Sequence, residues 1–324
     1  MVISEIYCNF IVLIYKELQT KIAIITEDKV TEIFCMADDF CNFFDAMMAK
    51  YMVKPANKRK YHRDCTMSKA EIMLIMILFY DSGYRCLKHF YLEKVCKHLH
   101  HLFPKVVSYN RFVELEREAA IPLALSIKKV LLGKCTGISF VDSTPLCVYR
   151  NQGIHIHKVF KGIAQRGKCS MGWFFGFKLH LICNEKGELL NFMITPGDID
   201  DRKPLEYKAF LEFIYGELVG DKGFLGKNLF QKLFGDGIQL ITKLKSNMKG
   251  ALMSVSDKLL IRKRAIIETV NDELKNIAQV EHSRRRCFDN FIVNILGTVA
   301  AYCLFLKKPC IYVQRTFDTK LTFF

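Results

Sequence analysis

The stretch Ile138-Ser139-Phe140-Val141-Asp142 decides the fold class of this chain, because the spacing of apolar residues changes just before it. Upstream of Gly133 apolar residues recur with the period of about 3.6 that is typical of helices, and downstream they follow the period of 2 that is typical of strands. Ile138–Val148 is therefore predicted to be a strand. Trp173–Cys183 and Leu189–Thr195 are two further predicted strands, joined by a short glycine-containing loop.

Helices and strands alternate after these three strands. The predicted elements are a helix at Lys203–Phe213, a strand at Glu217–Asp221, a helix at Leu225–Phe234, a strand at Ile238–Leu244, a long helix at Asp257–Ala278 and a buried helix at Phe291–Leu306. Three strands that begin with a hairpin, followed by this alternation, favour an α/β domain with a mixed central sheet flanked by helices. We expect this domain to span residues 133–324.

The region before the sheet is predicted to be all helical, over residues 25–132. Val30–Met48 is amphipathic, and Ser68 with Glu71 forms a capping box that opens the apolar helix Lys69–Tyr80. Tyr84–Leu102 reads as a second helix, and Ser108 caps a third. The pattern fits a DNA-contacting helix-turn-helix or a plain helical bundle, and the sequence leaves both open. Residues 1–24 are expected to lie outside the fold.

Positive charge is concentrated in the sheet-forming half. Residues 1–130 carry 19 basic and 15 acidic side chains, whereas residues 131–324 carry 29 and 18, within a total net charge of +15. Such a distribution favours a polyanionic partner, DNA above all, over a protein that is merely basic. The 13 Cys form no CxxC pair, which favours a reducing cytoplasm over a disulfide scaffold. The longest apolar run is shorter than the roughly 20 residues of a membrane span, so no membrane partner is expected.

Three acidic residues lie where carboxylates are unusual. Asp142 interrupts an apolar strand, Asp221 follows the end of another, and Glu268 has apolar neighbours on both sides within a helix. A charged carboxylate among apolar groups is unfavourable unless it is paired or binds a metal. Each acid alone suits a strand-end cap or a salt bridge. Together, in a basic domain, they favour a shared site.

Phosphodiester chemistry supplies a reason for such a site. It needs an activated oxygen nucleophile, neutralisation of phosphoryl charge and help for the leaving oxygen, which two Mg²⁺ ions supply together. Mg²⁺ prefers oxygen ligands, and carboxylates are its usual protein ligands. Asp142, Asp221 and Glu268 could converge on such ions if their two strands are adjacent and the helix packs over the sheet, with Mn²⁺ expected to substitute for Mg²⁺.

Cations surround the predicted metal ligands. Arg264, Glu268 and Lys275 fall within about 40° of one another on a helix of 100° per residue, although an ordinary salt-bridged helix would show the same face. Basic residues also occur at Lys158–Lys168, and Arg284 and Arg285 follow the helix. Their placement favours a track for the DNA backbone over a solvated surface.

Longer stretches of sequence surround these acids. They are Val141-Asp142-Ser143-Thr144-Pro145-Leu146; His157-Lys158-Val159-Phe160-Lys161-Gly162-Ile163-Ala164; Met171-Gly172-Trp173-Phe174-Phe175-Gly176-Phe177-Lys178-Leu179-His180; Gly220-Asp221-Lys222-Gly223-Phe224; and Ile267-Glu268-Thr269-Val270 continuing to Leu274-Lys275. The pattern resembles the DDE motif of bacterial insertion-sequence transposases, and these stretches are most similar to the insertion-sequence 982 family. The resemblance runs from about Ile25 to the C-terminus.

The resemblance implies an RNase H-like fold and a bacterial enzyme that cleaves DNA at the ends of a mobile element and joins the freed 3′-hydroxyl to target DNA. It implies that Asp142, Asp221 and Glu268 bind metal and that Lys275 contacts terminal phosphates. Lys178, His180, Lys222 and Trp173 are expected near the site. Trp173 and Phe174 are expected to pack in the core or in the hairpin rather than to stack on bases. Terminal inverted repeats, target DNA and at least a homodimer on DNA are the implied partners.

Two other functions remain open from the sequence. One is a metal-dependent nuclease of the same fold that hydrolyses DNA without strand transfer. The other is a non-catalytic DNA-binding protein built on the N-terminal helices, for which the three acids would be dispensable. No Ser, Tyr or Cys stands in a motif beside a base, which argues against a covalent protein intermediate.

Overall fold

The computed structural model describes residues 26–51, 66–149, 154, 158–243, 254–281 and 287–311. The chain divides into two compact units. The helical unit comprises Met1–Leu131, His155–Lys161 and Asp272–Leu306, and the sheet unit comprises Leu132–Ile154, Gly162–Asn271 and Lys307–Phe324. The predicted division between residues 132 and 133 lies close to the first boundary. The range 133–324 differs from this division, because Asp272–Leu306 groups with the N-terminal helices.

The helices of the described residues are, in chain order, α1 (Glu27–Tyr51), α2 (Lys69–Asp81), α3 (Leu87–His89), α4 (Tyr109–Glu118), α5 (Ala120–Ser126), α6 (Lys227–Gly235), α7 (Val255–Lys263), α8 (Ala265–Asn276) and α9 (Phe288–Leu304). Phe90–His98 and Ile127–Leu131 are π-helical, and Lys203–Glu206, Lys208–Phe210 and Lys222–Phe224 are 3₁₀ turns. The strands are β1 (Ile138–Tyr149), β2 (Gln165–Cys169), β3 (Gly172–Asn184), β4 (Leu189–Pro196), β5 (Gly216–Gly220) and β6 (Ile238–Thr242).

Helix α2 forms the centre of the helical unit, and nearly all of its residues are buried. The predicted capping box is confirmed, because the Glu71 backbone N–H donates to Ser68 Oγ at 3.1 Å and the Ser68 N–H donates to Glu71 Oε2 at 2.6 Å. Helices α1 and α9 pack against α2. A Cβ on Gly297 would lie 2.7 Å from Tyr80 Cε2, so glycine permits the close approach of α9. Helices α1, α2 and α9 of this unit thus pack together as part of a bundle.

Three predicted helices differ in the structure. Tyr84–Leu102 contains only the short α3 and a π-helix, and Asp257–Ala278 is two helices separated by a turn at Arg264. Lys203–Phe213 forms two 3₁₀ turns instead of a helix. There the Asn191 side chain donates to the carbonyls of Ala209 and Phe210, at 2.9 and 3.1 Å, so a side chain takes up carbonyls that a continuing helix would use.

The sheet unit contains a mixed six-stranded sheet in the order β2-β3-β1-β5-β6, with β4 also paired to β3. Strand β3 is antiparallel to β1, β2 and β4, whereas β1, β5 and β6 are parallel. Helix α6 packs on β6, and α7 packs on β5 and β6. The predicted mixed α/β architecture is confirmed. Strand β2 was not predicted, because its sequence Gln-Arg-Gly-Lys-Cys lacks an apolar alternation.

No helix within the described ranges has the length and apolar character needed to cross a membrane. The most apolar long helix, α9, is instead buried within the helical unit, where its Asn290 accepts a hydrogen bond from Arg117 Nε at 2.8 Å. No disulfide bond joins the cysteines in the described part of the chain.

Candidate catalytic site

Two of the predicted acids follow equivalent positions of neighbouring parallel strands. Phe140 of β1 is the register partner of Val219 of β5. Asp142 comes two residues after Phe140, and Asp221 comes two residues after Val219 at the end of β5. Because parallel neighbours run about 4.8 Å apart with the same direction, both acids reach the same edge of the sheet. The pairing of β1 with β5 therefore brings together two residues that are far apart in sequence.

Asp142 is largely buried, and its carboxylate has a specific partner. Asn271 Nδ2 donates a hydrogen bond to Asp142 Oδ2 at 3.0 Å. Burial raises the pKa of Asp142 to about 6, and the negative charges of Glu268 and Asp221 add to this rise, whereas the Ser143 N–H and the Arg264 charge oppose it. The negative charges of Glu268 and Asp221 therefore act on the Asp142 carboxylate, and the Arg264 charge offsets only part of the rise in its pKa.

Glu268 lies in a different environment from the one predicted. Its side chain is 57% exposed, and its carboxylate forms an ion pair with Arg264, whose side chain is only 16% exposed. The apolar neighbours in sequence, Ile266, Ile267 and Val270, turn toward the core. At 100° per residue, an acid flanked by apolar residues can still face outward, so flanking sequence was a poor guide to its burial.

Asn271 is a site residue that the sequence analysis missed. It lies three residues after Glu268 on α8, is 8% exposed, and places its amide against Asp142. Its Oδ1 atom is buried and has no hydrogen-bond partner among the described residues. A buried amide oxygen without a donor is unfavourable unless a cation or water satisfies it. The spacing of three residues from Glu268, one helical turn, was the available signal.

The donor chemistry of this site fits a hard divalent cation in part. Asp142, Asp221 and the orphaned Asn271 oxygen are all oxygen donors of the kind that Mg²⁺ and Mn²⁺ bind. Among the described residues, however, no three His, Cys, Asp or Glu side chains stand close enough to share one ion. The contact between Glu268 and Arg264 accounts for part of this, because a paired carboxylate must leave its partner before it can bind a metal.

Two residues that are expected near the site and predicted to contact DNA, Lys178 and His180, have partners within the protein. Lys178 Nζ lies 3.0 Å from Asp201 Oδ1 and donates to the Ile199 carbonyl at 2.8 Å, with only 11% of its side chain exposed. His180 is 1% exposed and its Nε2 lies 2.8 Å from Thr195 Oγ1. Burial lowers the pKa of His180 to about 4, so the ring is neutral at pH 7. The Lys178 charge is neutralised internally, and His180 has no charge to offer a phosphate.

The other predicted cations have different surroundings. Lys222 is exposed and directly follows Asp221. Lys275 belongs to the helical unit and pairs with Glu281 at 3.0 Å, and Arg264 is occupied by Glu268. Arg284 and Arg285 lie outside the described residues. Of these cations, Lys222 is the one that the structure describes as both exposed and next to a predicted ligand.

Trp173 and Phe174 differ from each other in burial. Phe174 is 4% exposed, which fits packing in the core. Trp173 is 54% exposed but packs within the hairpin, where the Arg166 guanidinium carbon lies 5.1 Å from the centre of its ring. Further along the same face of β3, Phe175 is 8% exposed, so the exposure of this face is greatest near the turn.

Residues 132–288 match a family model described as a transposase DDE domain. The matched segment is just under half of the chain and contains Asp142, Asp221 and Glu268. The match supports a DNA transposase of the DDE type. It does not extend to the insertion-sequence 982 family in particular. No curated protein sequence matches the chain.

Three solved structures are similar in part. A synaptic complex of piggyBac transposase with hairpin DNA is 11% identical, with 86% of this chain and 71% of that chain covered and a TM-score of 0.46. The Mos1 strand transfer complex is 10% identical, with 74% and 86% covered and a TM-score of 0.22. A Mos1 paired-end complex with the left transposon end is 10% identical, with 76% and 88% covered and a TM-score of 0.20. With TM-scores below 0.5, these similarities support no conclusion about this chain.

Proposed function

We propose that the chain is a metal-dependent DNA transposase with an RNase H-like catalytic domain, related to the insertion-sequence 982 family. The observation that carries the proposal is the site at the β1–β5 edge, where Asp142 and Asp221 follow register-equivalent positions and the Glu268 charge acts on Asp142. The sheet supports the fold, because an antiparallel hairpin precedes two parallel strands on the other side of β1. The family-model match covers these same residues.

In this proposal Asp142, Asp221 and Glu268 hold Mg²⁺ or Mn²⁺, two ions in the active complex. When bound, the ions would supply an activated oxygen nucleophile and neutralise phosphoryl charge. Asn271 fixes the orientation of the Asp142 carboxylate through its hydrogen bond, and Arg264 holds Glu268 until a cation competes for it. Lys222 and Lys275 are assigned to DNA phosphates.

The proposed reaction is direct attack on phosphorus, first by water and then by a DNA 3′-hydroxyl, without a protein nucleophile. In the first step water attacks phosphorus at an element end and the 3′-hydroxyl leaves. In the second step that hydroxyl attacks a target phosphodiester and displaces a new 3′-hydroxyl. The first step converts a phosphodiester into a 5′-phosphate and a 3′-hydroxyl, the second exchanges one phosphodiester for another, and neither needs a covalent protein intermediate. The helical region, residues 25–132, is assigned to binding the terminal inverted repeats, with a homodimer or larger assembly on DNA in the bacterial cytoplasm.

The test is a cleavage assay with duplex DNA that carries the repeats flanking the reading frame. D142N and E268Q should each lose at least about 10³-fold in cleavage rate, because metal binding supplies several kcal/mol of transition-state stabilisation. DNA affinity, measured by anisotropy, should stay within about threefold of wild type. D236N is the matched control, because Asp236 is an exposed aspartate at the end of α6. It should cleave as wild type does.

The products separate the alternatives. A transposase joins the freed ends to a target duplex, whereas a nuclease of the same fold yields cut and unjoined ends. A non-catalytic DNA-binding protein would yield no cleavage in any variant, and its biological effect would survive D142N. Either of the last two results would overturn the proposed function.

A further inference from the structure

The hairpin of β2 and β3 exposes an aromatic ring together with two cations. Lys168 and Trp173 are direct register partners, and Arg166 lies two pairs further along, on the same face. The Arg166 guanidinium carbon lies 5.1 Å from the centre of the Trp173 ring, and Lys168 Nζ lies 5.9 Å from it. Both distances are within cation–π range, so the ring holds two positive charges near one point.

The two faces of this hairpin have opposite environments. On the inner face Phe174 is buried, and a Cβ on Gly167 would lie 2.1 Å from the Gly197 carbonyl oxygen. The backbone therefore closes tightly over that face, and glycine is required there. On the outer face Arg166, Lys168 and Trp173 are all exposed. Arg166, Lys168 and Trp173 therefore face solvent near the turn of the hairpin, whereas Phe175, the next residue of β3 on the Trp173 side, is 8% exposed.

The sequence of the hairpin carries charge of one sign. From Ser143 to Asn184 the sequence contains no Asp or Glu. The turn that joins the strands carries Met171, which is 95% exposed, and no acid. A tryptophan that is 54% exposed, with two cations within cation–π range of its ring, complements an anionic backbone rather than an apolar partner.

The hairpin is also remote from the acids. Asp142 pairs with Leu181, which is eight residues along β3 from Trp173. At about 3.3 Å per residue this separation is roughly 26 Å, or about eight base pairs of B-form DNA. The hairpin face is therefore too far from the acids to contact the scissile phosphate. It is placed to contact the DNA backbone that flanks the cleavage site.

We infer that the outer face of the β2–β3 hairpin binds the phosphodiester backbone of duplex DNA, with Trp173 as the platform that positions Arg166 and Lys168. This inference rests on the proposed function only in that DNA is the substrate. Contacts to phosphate fix register and carry no base sequence, so the contribution should be the same for all duplexes.

Trp173 is the single tryptophan of the chain, so its fluorescence reports this face directly. Full-length wild-type protein is titrated with a fluorescently labelled duplex of about 30 base pairs, recording tryptophan emission and DNA anisotropy together. The emission should change saturably with the same midpoint as the anisotropy. The same titrations at several salt concentrations give the slope of log affinity against log salt.

R166A/K168A should weaken binding about three- to tenfold on any duplex and reduce the magnitude of the salt slope by about two, one for each lost phosphate contact. The matched control is K208A/K227A, which removes two exposed lysines elsewhere in the sheet unit. If removing any two cations has the same effect, the hairpin has no special role, and the inference fails. Circular dichroism and thermal unfolding confirm that both variants are folded.

DNA binding with unchanged tryptophan emission would overturn the inference and leave the proposed function intact. Emission that changes with protein concentration alone would indicate a contact between copies and would also overturn it. Conversely, cleavage of DNA by D142N would contradict the proposed function. If the Trp173 emission still changed with DNA binding, the inferred contact at the hairpin would stand.

Discussion

Asp142 and Glu268 act at one predicted metal site but occupy opposite environments. Asp142 lies on a central strand, is largely buried and has a pKa raised to about 6. Glu268 lies on a helix, is 57% exposed and is paired with Arg264. The strand acid has a fixed position and is only partly compensated by the Arg264 charge, whereas the helix acid is paired directly with Arg264 and is largely open to solvent.

The difference indicates how a metal-free site can be assembled without three buried charges. A third buried carboxylate beside Asp142 and Asp221 would add repulsion that burial makes stronger. Pairing Glu268 with Arg264 at the surface avoids that repulsion until a divalent cation arrives. Substitutions at the two positions should therefore affect stability in different ways, although both should abolish cleavage.

The largest difference is expected in folding stability. D142N removes a buried charge that is disfavoured, so the free energy of unfolding of the metal-free protein should rise by on the order of 2 kcal/mol at pH 7. E268Q removes only a surface ion pair, so its change should stay below about 1 kcal/mol. Urea unfolding in EDTA measures both. A strongly destabilised D142N would mean that Asp142 has a structural role.

The pH dependence of this gain should follow the raised pKa of Asp142. Because the folded-state pKa of about 6 exceeds the ordinary value of 3.8, the folded protein binds the proton more tightly, and stability is lost as pH rises through 6. The advantage of D142N over wild type should therefore vanish below about pH 4 and reach its full value above about pH 6. Urea unfolding across that range tests this. A constant difference would place the cause elsewhere.

Asn271 should matter only while Asp142 is present. N271A removes the hydrogen bond to the Asp142 carboxylate and should lower the free energy of unfolding by about 1–2 kcal/mol. N276A is the control on the same helix, because Asn276 is exposed, and it should change stability by less than about 0.5 kcal/mol. In the D142N background the effect of N271A should shrink. Full additivity would show that the two side chains are not coupled.

How much of this site the sequence could predict depends on the type of element. The strand around Asp142 and the strand before Asp221 follow from apolar patterns, whereas their parallel pairing was only a condition for the acids to meet and is seen in the structure. The burial of Glu268 does not, because a helix position faces the core or solvent according to packing that its neighbours in sequence do not encode. Asn271 was missed for the same reason.

Other differences also arise from tertiary contacts. The sequence of Lys203–Phe213 does not indicate that the Asn191 side chain, in β4, donates hydrogen bonds to the carbonyls of Ala209 and Phe210. Lys178 and His180 alternate with apolar residues on β3, a pattern that does not distinguish a buried network from a surface. The capping box at Ser68 was predictable because all of its hydrogen bonds lie within four residues.

The smallest expected effect concerns Arg264. R264A releases the Glu268 carboxylate, so Mn²⁺ affinity should rise by about fivefold, which corresponds to the roughly 1 kcal/mol of a surface ion pair. Calorimetric titration measures the affinity, and K263A is a control for loss of a neighbouring charge. An unchanged or weaker affinity in R264A alone would indicate that Arg264 supports the site instead of competing with the metal.

Binding of Mn²⁺ to the metal-free, full-length protein tests the shared metal site most directly. Isothermal titration calorimetry should give the same affinity for wild type and D236N, and an affinity at least about tenfold weaker for each of D142N, D221N and E268Q. Wild-type protein that binds no Mn²⁺, or three variants that bind it as wild type does, would contradict the assignment of these acids to one metal centre.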